Sequence, residues 1–374
     1  MAFDSEGSRG DPTGLIPLEG EDILETAAVA TPARAGSALA GPDADYVELA
    51  RVVRLSGLAD RRASEYAARL GITVALLVGG WMAFFWVGNS WYSLAVGGAL
   101  AVAFAQVGFI GHDAGHRQIS VVPWVNHLVG LCAANLAIGM SYGYWVNKHN
   151  RHHAYPNQVG KDPDVAQSVI AWTEAQAWGA RGPFRWFARH QGWLFFPATL
   201  FEGFNMHVFS MRAMRNPVVR YQRTETALLV AHFMGYLTVV FLVLSPLRAV
   251  VFILVQQGLF GLYLGCAFAP NHKGMPMPAE GAKSESYVRR QVLTARNVSG
   301  GRVISVIFGG LNYQIEHHLF PTLPMRSLRR IQPLVRAFCA TQGLTYAETT
   351  AFASYGMVVR HLHAIGSSLR PALS

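Results

Sequence analysis

Cysteine and charge are the two things this sequence is short of. Three cysteines occur in 374 residues, Cys132, Cys266 and Cys339, far apart and with no Cys-x-x-Cys pair. That excludes a disulfide scaffold, a zinc ribbon and a cysteine-ligated iron–sulfur cluster. Charged residues make up only 14% of the chain, against 51% apolar, and residues 72–110 contain none. No Gly-x-Gly-x-x-Gly nucleotide fingerprint and no His-Glu-x-x-His protease helix is present. Residues 1–45 lack an apolar h-region, so no cleavable signal peptide is expected; they read as a disordered, solvated tail.

What the sequence has instead is length without polarity. Crossing a bilayer takes about 20 residues of helix, and four stretches qualify: 72–87, 91–110, 226–245 and 249–268. Gly88-Asn89-Ser90 turns the first into the second, and Pro246-Leu247-Arg248 turns the third into the fourth. Trp86, Trp91 and Tyr92 at the ends fit an interfacial aromatic belt. Residues 128–142, 193–209 and 303–311 are apolar but short or broken, as interfacial or re-entrant helices would be. The expected fold is an all-α integral membrane protein, with four transmembrane helices in two hairpins. A membrane domain over 46–350 is followed by a C-terminal tail or helix over 351–374.

The net charge of +9 raises nucleic acid as a partner, but its distribution points to a membrane. With two hairpins, residues 1–71, 111–225 and 269–374 share one side and carry 7, 11 and 12 lysines and arginines, 30 of the chain's 31. Only Arg248 lies opposite. Positive residues favour cytoplasmic loops, so both termini and the intervening segment are expected in the cytoplasm, with no nucleic-acid role.

Fourteen histidines are the anomaly, and seven fall in three tight groups. Gly111-His112-Asp113-Ala114-Gly115-His116 sets two imidazoles on one helical face, about 6 Å apart along the axis. His149-Asn150-Arg151-His152-His153 stacks three at i, i+3 and i+4. Gln314-Ile315-Glu316-His317-His318 repeats that spacing with Gln at the first place. His272, in Pro270-Asn271-His272-Lys273, follows the fourth span at a depth that would complete a site. Neutral imidazole suits iron, copper, zinc and nickel, and seven histidines exceed one metal's usual needs and suit two. No span separates the first two groups and two spans separate the second from the third. All three therefore end on the same face, forming a cytoplasmic helical cap. His127, His190, His207 and His232 read as ordinary hydrogen-bonded histidines, and His361 and His363 as surface residues.

The pattern His-x-x-x-His, His-x-x-His-His, Gln-x-x-His-His resembles the membrane fatty acid desaturases. Gly111-His112-Asp113-x-x-His116, His152-His153-x-x-Pro156-Asn157 and Asn312-Tyr313-Gln314-Ile315-Glu316-His317-His318-Leu319-Phe320-Pro321 carry the similarity, which covers roughly 70–345 with the same four-span plan. The resemblance implies a non-haem centre of two iron ions that uses O2 and two electrons to introduce a cis double bond into an acyl chain. Gln314 in place of the commoner His resembles the front-end branch. A fused cytochrome b5 domain is not expected, because no His-Pro-Gly-Gly signature occurs and no histidine precedes His112. Electrons would come from a separate donor: a ferredoxin, a cytochrome b5, or a flavin or iron–sulfur reductase. The substrate would be an acyl-CoA or an acyl-lipid, and the setting a bacterial cell membrane. Related chains with the same Gln box that act at the ninth carbon leave the double-bond position open.

Removing hydrogen from an unactivated methylene is beyond side-chain acid–base chemistry, so the bound metal must carry it. His112, His116, His149, His152, His153, His272, His317 and His318 are the expected ligands. Asp113, Glu316, Asp162 and Asp164 could accept the other imidazole N–H. Gln314 could bind a metal weakly, hold a metal-bound water or cap a helix, and the resemblance implies that Asn271, Asn297 and Asn312 bind water near the metals, with helix capping or turn chemistry as the alternative. Arg289, Arg290, Arg296, Arg326, Arg329 and Arg330 either dock an acidic donor or substrate phosphate or express positive-inside bias. The alternative is a related di-iron lipid hydroxylase or ketolase. A metal transporter would need a polar path through the spans, where His232, Gln106, Gln256 and Gln257 are nearly all there is.

Overall fold

The computed structural model describes residues 44–58, 63–166, 168–215, 219–282 and 285–369. The tail read over 1–45 lies outside them except for its last two residues, which open the first helix. In chain order the elements are α1 (Ala44–Leu55), α2 (Ala63–Val87), α3 (Ser93–Gly115), α4 (Pro123–Gly130), a π-helical stretch (Leu131–Ala137) and α5 (Tyr142–Ala154). A 3-10 turn (Pro163–Val165), α6 (Glu174–Gly179), α7 (Gly182–Thr199), α8 (Glu202–Ala213), α9 (Gln222–Val243) and α10 (Pro246–His272) follow. The chain then runs through α11 (Tyr287–Leu293), β1 (Asn297–Ser299), α12 (Gly301–Ile307), α13 (Gln314–Leu319), α14 (Met325–Thr341), β2 (Glu348–Thr350) and α15 (Ala351–Ser367). The two three-residue strands pair in parallel, Asn297 opposite Glu348. The fold is all-α and spans a membrane, as its sequence implies.

Four helices are long and apolar enough to cross a bilayer: Tyr66–Val87, Ser93–Gly115, Gln222–Val243 and Pro246–His272. They overrun the apolar stretches at the histidine-bearing end. Helix α3 continues through His112, and α10 continues to His272. Hydropathy marks where the lipid stops, whereas backbone hydrogen bonding carries these helices a further turn. The spans are also unequal. Within their apolar windows α3 and α10 are 56% and 44% buried, against 11% and 22% for α2 and α9, so α3 and α10 form the inner pair. The third and fourth spans make a loose hairpin, since α10 lies mainly along α3 and α9 lies on the π-helical stretch. Close approach of the inner pair needs small residues. A Cβ on Gly97 would come within 3.1 Å of the Phe252 ring.

At the far end the two turns are tied together. Asn89 accepts from Ser245 N at 2.9 Å through its side chain and from Arg248 at 2.9 Å through its carbonyl. At the near end, α1, α11, α13 and α14 close over a second core of Leu49, Val53, Val292, Ile315, Ile331 and Val335. One face of α14 is apolar and the other carries Arg326 and Arg329. The broken apolar stretches resolve into short helices. Residues 128–142 hold the π-helical turn, 193–209 break at Leu200 and Phe201, and 303–311 contain the end of α12.

Candidate metal centre

Four segments bring the histidines together. The last turn of α3 supplies His112, and His116 caps its end. Helix α5, started by the Ser141 hydroxyl accepting from Tyr144 N, supplies His149, His152 and His153. The end of α10 supplies His272, and α13 supplies His317 and His318.

The eight imidazoles sort into two adjoining pockets. His112, His116, His149 and His317 each offer a nitrogen within 4.8 Å of the others, and so, in the second pocket, do His152, His272 and His318. His149 Nε2 lies 2.9 Å from His116 Nε2, and His152 Nε2 lies 3.3 Å from His272 Nε2. His153 stands between the pockets. Its ring is 4.2 Å from His318 and 4.6 Å from His116, and its Nε2 is 3.1 Å from His149 Nε2.

In four of the rings the outward nitrogen is tied down, which turns the other one toward the pockets. His112 Nδ1 meets Asp113 Oδ1 at 3.2 Å, and His152 Nδ1 meets Asp162 Oδ2 at 2.9 Å. His272 Nδ1 meets Thr294 O at 3.0 Å, and His318 Nδ1 meets Gln291 Oε1 at 2.8 Å. Asp113 is itself held by Arg69 at 2.5 Å and by the Tyr66 hydroxyl at 3.3 Å. Inside the pockets, His112 Nε2, His318 Nε2 and both His317 nitrogens are buried with no hydrogen-bond partner.

Buried polar atoms are rarely left in that state. Burial also drives the pKa values of His116, His149, His153, His317 and His318 well below the usual imidazole value, with neighbouring imidazolium charge adding to it. Neutral rings with orphaned lone pairs, set in two clusters a few ångströms wide, fit a pair of first-row divalent ions.

Among the residues expected around the ligands, Asp113 and Asp162 do reach imidazoles. Asp164 approaches His152 Nδ1 only at 3.5 Å and is engaged by Lys148 Nζ at 2.5 Å. Glu316 differs from the expectation. Its carboxylate turns away from every imidazole and accepts from Asn297 Nδ2 and the Tyr346 hydroxyl, each at 2.7 Å. Adjacent helical residues point about 100° apart, so with His317 facing the pocket Glu316 faces the cap. Burial pushes its pKa up to about 7.

Gln314 Nε2 lies 2.8 Å from His272 Nε2, and Asn271 Nδ2 donates to Gln314 Oε1 at 3.2 Å. Asn271 Oδ1 and Asn312 Oδ1 are buried without partners, whereas Asn297 is fully used by Glu316, Tyr346 and Ile315 N. Arg296, read with the docking arginines, is 1% exposed and cannot present its charge to a partner. His207 and His232 donate to or accept from backbone and Gln257, as ordinary histidines do. His361 is half-buried against Trp172 O rather than on the surface. Gln291, Thr294, Tyr66 and Arg69 were not singled out from sequence. Only their fold-dependent approach to imidazoles or to Asp113 distinguishes them from other polar residues.

Similarity to known proteins meets this geometry. The protein-family model described as Fatty acid desaturase matches residues 89–350, which contain all eight histidines. An acyl-lipid (9-3)-desaturase of Physcomitrium patens is 32% identical over 263 residues, 67% of this chain and 49% of that protein. The chain thus spans about half the length of that relative. A Delta(5) fatty acid desaturase of Caenorhabditis elegans is 29% identical over 86% of this chain and 74% of its own length. A Delta(8)-fatty-acid desaturase of Helianthus annuus is 25% identical over 82% and 70%. With the family's match covering most of the chain and every clustered imidazole, this chain belongs to the fatty acid desaturase family.

Proposed function

We propose that this protein is an O2-dependent acyl desaturase that binds two iron ions through His112, His116, His149, His152, His153, His272, His317 and His318. It introduces a cis double bond into an acyl-CoA or acyl-lipid chain. The observation that carries the reading is the pair of adjoining imidazole pockets, with four rings tied through one nitrogen and the facing nitrogens of His112, His317 and His318 orphaned. Bound iron would supply the O2 activation and two-electron oxidation that no side chain can perform.

The protein's own part is to place and to exclude. Phe109, Ala267 and Leu311, on the segments just before His112, His272 and the third histidine group, form a buried apolar cluster that helps keep water out. Asp113, Asp162, Thr294 and Gln291 fix four rings, so the ligand set is organised before any ion arrives. Gln314 and Asn271 hold a polar edge on the second pocket where water can sit.

The electrons would come from a separate ferredoxin, cytochrome b5, or flavin or iron–sulfur reductase. The concentration of 30 of 31 lysines and arginines on the histidine side argues for a cytoplasmic site. A host expressing the chain should gain an unsaturated acyl product that depends on oxygen and is absent with His152→Ala. A product heavier by one oxygen would make the enzyme a hydroxylase. Full activity in the His152→Ala host would remove the site.

A further inference from the structure

The histidine-bearing end of α10 is held by a buried cation that no carboxylate neutralises among the described residues. Arg296 is 1% exposed, and among the described residues no acidic side chain pairs with it. Its guanidinium donates to Pro270 O from Nε at 3.0 Å and from Nη2 at 2.5 Å, and to Lys273 O at 3.0 Å. Nη1 rests on the sulfurs of Met275 and Met357, at 3.7 and 3.2 Å. Its backbone N–H takes the carbonyl of Asn271 at 2.8 Å. Burying a guanidinium is costly unless its donors are satisfied. Here the acceptors are carbonyls at the C-terminus of a 27-residue helix, where unpaired C=O groups concentrate partial negative charge.

That helix end needs external support because Pro270 lies within its last turn. Proline has no N–H, so the carbonyl of Cys266 loses its helical partner. The Tyr355 hydroxyl, from α15, takes that carbonyl at 2.9 Å. On the other side Asn157 Nδ2 donates to His272 O at 2.9 Å, while His272 Nδ1 reaches Thr294 O. Each of these contacts bears on the few residues that carry Asn271 and His272.

We propose that Arg296 is a positioning residue that fixes the last turn of α10 so that His272 faces the three-imidazole pocket, and that α15 completes the clamp through Tyr355 and Met357. The inference rests on the two-ion reading above and deepens it. Helix α15 begins at Ala351, directly after the stretch matched by the family, so part of the support for the second pocket comes from a segment outside that match. A planar fork can span two carbonyls at once, which a lysine ammonium cannot do in fixed geometry.

The test is anaerobic Fe(II) titration of the detergent-solubilised full chain, reading stoichiometry and the two stepwise affinities. Wild type, Arg296→Lys, Tyr355→Phe, His272→Ala and His112→Ala are compared. Arg296→Lys should weaken the one stepwise affinity that His272→Ala loses, leaving the other as in wild type, by about 10–100-fold, the range seen when partners that orient metal ligands are removed. Its profile should match His272→Ala rather than His112→Ala. Tyr355→Phe should weaken the same ion toward the lower end of that range, and it decides the matter if Arg296→Lys does not accumulate. Unchanged affinity for that ion in Arg296→Lys overturns the clamp, as does a parallel loss of both ions, which would mark a general structural role. If wild type itself takes up fewer than two ions, the two-ion reading fails, an outcome distinct from failure of the clamp alone.

Discussion

Asp162 is where one substitution should separate two consequences. Its side chain is fully buried and accepts three hydrogen bonds. Oδ2 takes His152 Nδ1 at 2.9 Å and Asn157 N at 2.7 Å, while Oδ1 takes Asp164 N at 2.8 Å. Asparagine has one acceptor oxygen, which should occupy the place facing two donors and leave its NH2 against the Asp164 N–H. One bond is lost, a buried donor is left unmatched and two bonds lose their charge assistance. Together these cost about 2–5 kcal/mol of stability. Because His152 still donates from Nδ1, its Nε2 stays available, and metal affinity should fall only about tenfold.

Asp162→Ala removes every acceptor, frees the ring and its tautomer, and should approach a loss of about 100-fold. Thermal unfolding and Fe(II) titration of the purified variants read the two effects. A second-pocket affinity equal to wild type in both variants would refute the claim that Asp162 aims His152 into the pocket.

Other expectations follow from the same geometry. Arg69→Met strips the cation from buried Asp113 and should destabilise the protein by about 3 kcal/mol or more, measured by thermal unfolding. Gly139 has φ of +68°, and a Cβ there would lie 2.5 Å from the His232 ring. Gly139→Ala should therefore lower the unfolding temperature by an amount equivalent to about 1–3 kcal/mol while leaving two ions bound. The metal-free protein should lose stability as pH falls below about 6.5. Five clustered histidines have folded values pushed below that of the unfolded chain, so the unfolded state binds more protons there. Each contributes up to about 1.4 kcal/mol per pH unit. A flat pH profile between 6.5 and 5 in the apoprotein would contradict this burial.

The spans and the gathering of the eight imidazoles at one end of them were legible because each rests on a short-range rule. Charge-free runs of about 20 residues mark helices that meet lipid, and histidines three and four apart share a helical face. Counting crossings between His116, His149 and His317 then set them on one side. The supports were not legible, because they are made by distant segments. Arg69 reaches Asp113 from another helix, Gln291 reaches His318 across the cap, and Tyr355 reaches Cys266 from residues beyond the third histidine group.

Glu316 misled for the opposite reason. Its closeness in sequence to His317 suggested contact, but a helix turns neighbouring side chains apart, and Asn297 and Tyr346 claimed the carboxylate instead. The surplus of arginine hid a similar distinction. Arg326 and Arg329 are exposed, while Arg296 is buried under α15 and serves the backbone.

The most direct test of the account is the iron content of the active, purified protein, taken by elemental analysis alongside its desaturation rate. Two irons per chain, lost together with activity on chelation and restored together by Fe(II), is the predicted result. Full activity from metal-free protein, or from protein holding a single ion, would contradict it.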